Sequence, residues 1–212
     1  MAEPDLLRRL PSDGALLPPS VEPGGTAGKI LTAGLRLFAL HGYEGASVRD
    51  ICAEAHVYAT TIYSHYPSKE HVLAELIRLG HVEHLSRLRA ALLEAGNDPH
   101  DQLAEFVRAH VLAHCDYPLL SVVTSAELHH LSAALAGPSL ALRHEAETLF
   151  VDILARGVKL GAFNVIDPEL ALRAIASMGV RVPYWYEPGG PHDPGVIAET
   201  YARFALRLVK PS

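Results

Sequence analysis

The stretch VRDICAEAHVYATTIYSHYPSKEHVL, Val48 to Leu73, leaves few folds open. Val48, Ile51, Cys52 and Ala55 stand at i, i+3, i+4 and i+7, one apolar stripe on a short helix. His56-Val57 interrupts that rhythm. A second short helix follows from Tyr58 to His65, with Ile62, Tyr63 and Tyr66 on its buried side, and Pro67 stops it. Two short helices joined by so few residues form a helix-turn-helix, which must bury one face of each helix against a third. The outer side of the second helix carries Tyr58, Ala59, Thr61, Ser64 and His65, small or hydrogen-bonding residues. A merely solvated helix would more often show Glu and Lys there. A face of this kind suits a DNA major groove.

The rest of the chain supplies the partners. Ile30, Ala33, Leu37 and Leu40 recur at helical spacing from Thr26 until His41-Gly42. Ser47 with Asp50 three residues later predicts a capping box, and Ser68 is placed to cap a long helix over 69–95. Further helices are expected at 99–115, 118–134, 138–160, 168–186 and 194–209. Pro118, Gly137-Pro138 and the Asp-Pro pairs at 98–99, 167–168 and 193–194 punctuate them; in each pair the Asp caps and the Pro presets the first turn. No strand-like alternation of useful length and no internal repeat is visible, so the fold class is all-α.

Composition narrows the setting. The chain has 212 residues, is 49% hydrophobic and carries a net charge of −6, so a core can form but no general basic character advertises nucleic acid. Two cysteines are too few for a disulfide framework. The first residues lack the apolar core of a signal peptide, and no run could span a bilayer. A cytoplasmic protein with no membrane partner is expected. Residues 1–25, rich in Pro and Gly, read as a flexible N-terminal arm in which Arg8 and Arg9 could touch phosphates.

The segments LFALHGYEGASVRDICAEA, Val57 and IYSHYPSKEHVL together resemble the N-terminal domain of TetR-family transcriptional regulators. The resemblance covers about 50 residues in the family's order; no single piece is specific, but the series is. It implies an all-α protein: a three-helix helix-turn-helix DNA-binding domain, here 26–72, followed by a larger helical ligand-binding and dimerisation domain, here 73–212. It also implies a homodimer on a double-stranded DNA operator, with phosphate contacts from Ser47, Tyr63, His65 and Lys69. Base reading would fall to Tyr58, Ala59, Thr60 and Thr61. Two departures stand out: His56 occupies the turn position usually held by Gly, and Tyr58 opens the second helix in place of Ser or Thr. Lys29, Arg36, Arg49 and Lys69 balance Glu44, Asp50, Glu54 and Glu70 over this domain, so affinity must come from geometry and from two subunits acting together.

Beyond residue 85 the sequence shows no phosphate loop, no Gly-x-Ser-x-Gly and no Cys-x-x-Cys, and no enzyme is expected. Phe106, His110, Val122, Phe150, Arg181 and Trp185 are candidates for a small-molecule site, with Arg143 and Arg156 as further cations. Among 13 histidines, His110 and His114 stand at i, i+4 beside Cys115, yet no third ligand is evident, so neither a metal nor a cofactor is read. On the last two helices Ile175, Met178, Gly179, Ile197, Tyr201, Phe204 and Leu208 form apolar stripes suited to a four-helix dimer interface. WYEPGGP, Trp185 to Pro191, resembles the same segment in the branch of steroid-catabolism repressors. That implies a bulky apolar effector, acyl-CoA thioesters included. The competing readings are a His/Cys metal-dependent helical enzyme and a protein-binding helical scaffold.

Overall fold

A computed structural model describes residues 16–210. Among them nine α-helices and two 3₁₀ turns occur and no strand. The helices are α1 (Thr26–Gly45), α2 (Val48–Ala55), α3 (Ala59–His65), α4 (Lys69–Glu94), α5 (Pro99–Asp116), α6 (Pro118–Ala126), α7 (Ala133–Lys159), α8 (Pro168–Val180) and α9 (Pro194–Leu208). The 3₁₀ turns are Leu128–His130 and Val182–Tyr184.

The chain forms two compact units. The described part of the first comprises 16–82 with 117–140; the second comprises 83–116 with 141–210. Both α4 and α7 run from one unit into the other. The first unit packs α1 against α2 and α6. Its core is built from Ile30, Leu35, Phe38, Ile51, Ile62, Leu73, Leu76 and Ile77, all at 0–1% exposure. The second packs α5 between α8 and α9, around Leu103, Phe106, Phe150, Leu154, Ile175 and Ala202.

Several boundaries differ from the sequence reading, each for a physical reason. Gly42, at φ 69° and ψ 169°, breaks α1 where expected, but one more helical turn follows before Ala46. The expected helix 118–134 stops at Ala126; the chain tightens into the 3₁₀ turn at Leu128–His130 and restarts at Ala133. Pro138 does not open α7 but sits inside it, removing the one N–H that would have bonded the Ala134 carbonyl. The expected helix 168–186 likewise ends at Val180 and passes into a 3₁₀ turn. Asp167 and Asp193 each accept two backbone N–H groups at the starts of α8 and α9, as Asp-Pro predicted.

The arm needs correction. Residues 1–15, with Arg8 and Arg9, lie outside the described residues. Residues 16–25 are no loose tail: Leu17 is buried in the first core, Leu16 and Val21 pack against it, and the Val21 N–H closes a turn onto the Pro18 carbonyl at 3.0 Å.

Candidate nucleic-acid interface and ligand domain

The helix-turn-helix is assembled from local signals. Ser47 caps α2: its hydroxyl oxygen accepts from the Asp50 N–H at 3.2 Å, while the Asp50 carboxylate accepts from the Ser47 N–H at 2.9 Å. The Ser47 hydroxyl also donates to that carboxylate at 2.6 Å. These bonds hold the Asp50 carboxyl below its usual range, the Ser47 side chain contributing most. At the far end His56 adopts the left-handed conformation, φ 54° and ψ 45°. It is the one non-Gly residue with positive φ among the described residues. The Val57 N–H then reaches the Cys52 carbonyl at 3.0 Å and the His56 N–H the Ala53 carbonyl at 3.3 Å, a Schellman-type ending. That turn sends the chain into α3 at a fixed angle.

α3 has seven residues and buries one of them, Ile62. Tyr58 precedes it in extended conformation and makes no side-chain cap, as its chemistry predicts. Tyr58 is 83% exposed and Tyr63 54%, and Ala59, Thr60, Ser64 and His65 are exposed, with Thr61 half-buried. Tyr63, placed on the buried side by the sequence reading, in fact faces out. The helix is thus pinned by its neighbours through Ile62 and presents nearly everything else to solvent.

Lys69 has a role that periodicity could not show. Its Nζ donates to the carbonyls of Tyr43 and Ala46, both at 2.8 Å, and lies 3.9 Å from the centre of the Tyr43 ring. The Tyr43 N–H in turn donates to the Glu127 carboxylate at 3.2 Å. At the start of α4, Glu70 accepts from the Ser132 N–H at 2.7 Å, which lowers its carboxyl pKa. So the loop leading into α2 is clamped to the first turn of α4. Ser47, the other phosphate candidate near this loop, is exposed but uses its hydroxyl on Asp50.

The candidate ligand residues fall in different places. Phe106 and Phe150 meet edge to face in the second core, centroids 5.2 Å apart, both almost fully buried. Val122 is buried in the first unit instead, and so does not join them there. Arg181 is exposed and stacks over Tyr184, 4.3 Å from the ring centre. Trp185 is partly exposed and, with Tyr186, Glu187, Pro191 and His192, lines a shallow hollow. Arg143 is paired with Glu147 at 3.0 Å. Arg156 bonds Gln102, and its buried Nε has no hydrogen-bond partner among the described residues.

His110 is 5% exposed and sits with His114 and with His84 of α4, a residue sequence reasoning did not bring in. Nothing in the local pattern marks His84, since it lies 26 residues from His110. The dimer stripe also divides. Ile175, Gly179 and Ile197 point into the core of their own unit, because α5 is the common partner of α8 and α9. A Cβ at Gly179 would stand 2.3 Å from the His110 ring, so this glycine makes room for an imidazole of its own unit. Met178 and Tyr201 are half-buried. Phe204 and Leu208 remain outward, and Leu170 and Val196 join them as exposed apolar residues.

With that geometry in view, the chain can be set beside known proteins. The family model for bacterial regulatory proteins of the tetR family matches residues 30–76, and that for the tetracyclin repressor-like C-terminal domain matches 96–209. The chain belongs to the TetR family. It is a DNA-binding transcriptional regulator with an N-terminal helix-turn-helix and a C-terminal ligand-binding domain. It is 29% identical to the HTH-type transcriptional repressor KstR2 of Rhodococcus jostii, over 89% of this chain and 95% of that one. A solved tetR-family regulatory protein from Rhodococcus RHA1 has a TM-score of 0.82 at 30% identity, covering 89% of this chain and 99% of the other. The ketosteroid transcriptional regulator KstR2 of Mycobacterium tuberculosis shares the fold, with a TM-score of 0.80 at 24% identity, covering 89% and 97%. No described helix is long and apolar enough to cross a membrane.

Proposed function

We propose that this regulator is a cytoplasmic homodimeric repressor that reads operator DNA with α3 and is released by a bulky apolar effector of the acyl-CoA thioester type. The observation that carries the first half is the exposure of Tyr58 and Tyr63 on a helix anchored only through Ile62. Exposed aromatics on a short, rigidly held helix cost solubility, and a major-groove partner accounts for them. Tyr58, Ala59, Thr60 and Thr61 read base edges; Ser47, Tyr63 and His65 meet phosphates. Lys69 uses two of its three N–H groups on carbonyls, which leaves one for a phosphate while the clamp positions Ser47.

Leu170, Val196, Phe204 and Leu208, with Met178 and Tyr201, supply the dimer surface. Two subunits offset the lack of net positive charge by binding two half-sites together. The effector site lies in the second unit: Phe106 and Phe150 mark its apolar interior, and Arg156, bonded to an amide and with its Nε unsatisfied, suits an anionic portion of the ligand. α4 begins in the helix-turn-helix unit, continues into the second unit and gives a direct covalent route from effector to DNA. The effector class rests on the likeness to the KstR2 repressor and on WYEPGGP. Fluorescence anisotropy with a DNA site selected from a random double-stranded library tests it. Choloyl-CoA or palmitoyl-CoA should release the DNA where free CoA does not. Unchanged DNA affinity at saturating concentrations of both thioesters would remove the acyl-CoA reading and leave DNA binding untouched.

A further inference from the structure

Three imidazoles meet inside the second unit. His84 comes from α4, and His110 and His114 come from successive turns of α5. Their ligand nitrogens all lie within 4.8 Å of one another. His84 Nε2 is 2.8 Å from His110 Nδ1. His110 Nε2 is 2.9 Å from the Ala176 carbonyl, and His114 Nδ1 is 2.7 Å from the His110 carbonyl. A carbonyl only accepts, so His110 carries its proton on Nε2 and His114 on Nδ1. Each therefore keeps the other ring nitrogen as a lone pair.

We propose that His84, His110 and His114 form a binding site for one divalent transition-metal ion of the imidazole-preferring class, Zn²⁺ first among them. Four features support this. The donor set is three imidazoles with no carboxylate, which suits Zn²⁺, Ni²⁺ or Co²⁺ and not Mg²⁺ or Ca²⁺. Two of the rings already donate to backbone carbonyls, the outer-shell bond that orients a metal-bound histidine. The two α5 rings are buried, which shields an ion between them from bulk water. Finally, α8 leaves out a side chain at Gly179, where a Cβ would collide with the His110 ring.

Zinc–nitrogen bonds of about 2.0–2.1 Å set nitrogens roughly 3.4 Å apart in a tetrahedron, so the rings need only modest rotation to close on an ion. His84 would turn its lone pair inward by taking the Nδ1–H tautomer. The fourth position is left to water or an anionic ligand. Cys115, next in sequence, is not part of the cluster. An ion here ties α4 to α5 within the second unit.

The test uses the full-length protein stripped with EDTA. Co²⁺ titration followed by visible absorption should give one equivalent per chain, with the intense bands of four-coordinate cobalt, displaced by Zn²⁺. Zinc should also raise the melting temperature of the wild type. His84→Gln changes the half-buried member and keeps the α5 pair, so it is the variant least liable to misfold. It should weaken uptake by more than the roughly 10–100-fold that losing an outer-shell partner costs. His110→Gln and His114→Gln should do the same, and His144→Gln, on the α7 surface, should not. The proposal is overturned if the wild type takes up no stoichiometric metal, if bound cobalt shows only the weak bands of six-coordination, or if folded His84→Gln binds as the wild type does. None of these readouts depends on DNA or effector.

Discussion

Replacing Lys69 by Met asks whether this lysine is chiefly a contact to DNA or a brace within the protein. Met keeps the length of the stem and removes the ammonium. Two charged hydrogen bonds to the Tyr43 and Ala46 carbonyls vanish, together with the charge above the Tyr43 ring. A bond to a charged donor contributes about 1.5–3 kcal/mol net, and an exposed cation–π contact about 0.5–1. Lys69 is only half-buried, so water replaces part of what is lost; the lower end of each range applies, giving about 3.5 kcal/mol in total. At roughly 2–4 °C per kcal/mol for a chain of this size, melting should fall by about 7–14 °C. Urea unfolding followed by circular dichroism gives the same loss directly. Lys69→Met should also weaken DNA binding at low temperature, through the displaced loop before Ser47. A variant that melts with the wild type would refute the clamp, and one that also kept full DNA affinity would refute any role for the ammonium.

Other outcomes follow from the backbone and from burial. His56→Gly should stabilise the protein by about 0.5–1 kcal/mol, because a left-handed residue without a Cβ escapes a cost of about 1–2 kcal/mol that its own extra freedom when unfolded only partly cancels. His56→Val should lose more than that, and equal melting of all three would show that φ is not positive there. Cys115 is buried with its thiol pKa pushed up to about 12, so alkylation of it in the native state should rise about tenfold per pH unit through neutrality and show no plateau below about pH 11. A plateau near pH 8 would show an exposed thiolate instead.

How far the sequence sufficed depended on the range of the interaction. The Ser47–Asp50 box, the His56 turn and the three Asp-Pro caps are local, involving residues two to five apart, and each appears as expected. Helix existence was legible for the same reason. What the pattern could not give was the partner of each apolar face. Ile175, Gly179 and Ile197 fall on regular stripes, but a stripe does not say whether it meets α5 or another subunit. Lys69 resembled a solvated or DNA-facing lysine because its carbonyl partners lie 23 and 26 residues away. His84 escaped notice for the same reason. Residues 16–25 looked like linker by their Pro and Gly content, yet Leu17 and Val21 were enough to hold them down.

DNA reading by the outer face of α3, in a symmetric pair of half-sites, is the central claim. Selection from a random double-stranded library, repeated with Thr61→Ala, tests it most directly. The expected result is an enriched palindrome whose half-sites are about one helical turn apart, bound with steep salt dependence, and relaxed at one base pair per half-site by the substitution. A selection that enriches no sequence, or a motif whose every position is indifferent to Thr61→Ala, Tyr58→Ala and Thr60→Ala alike, would contradict it.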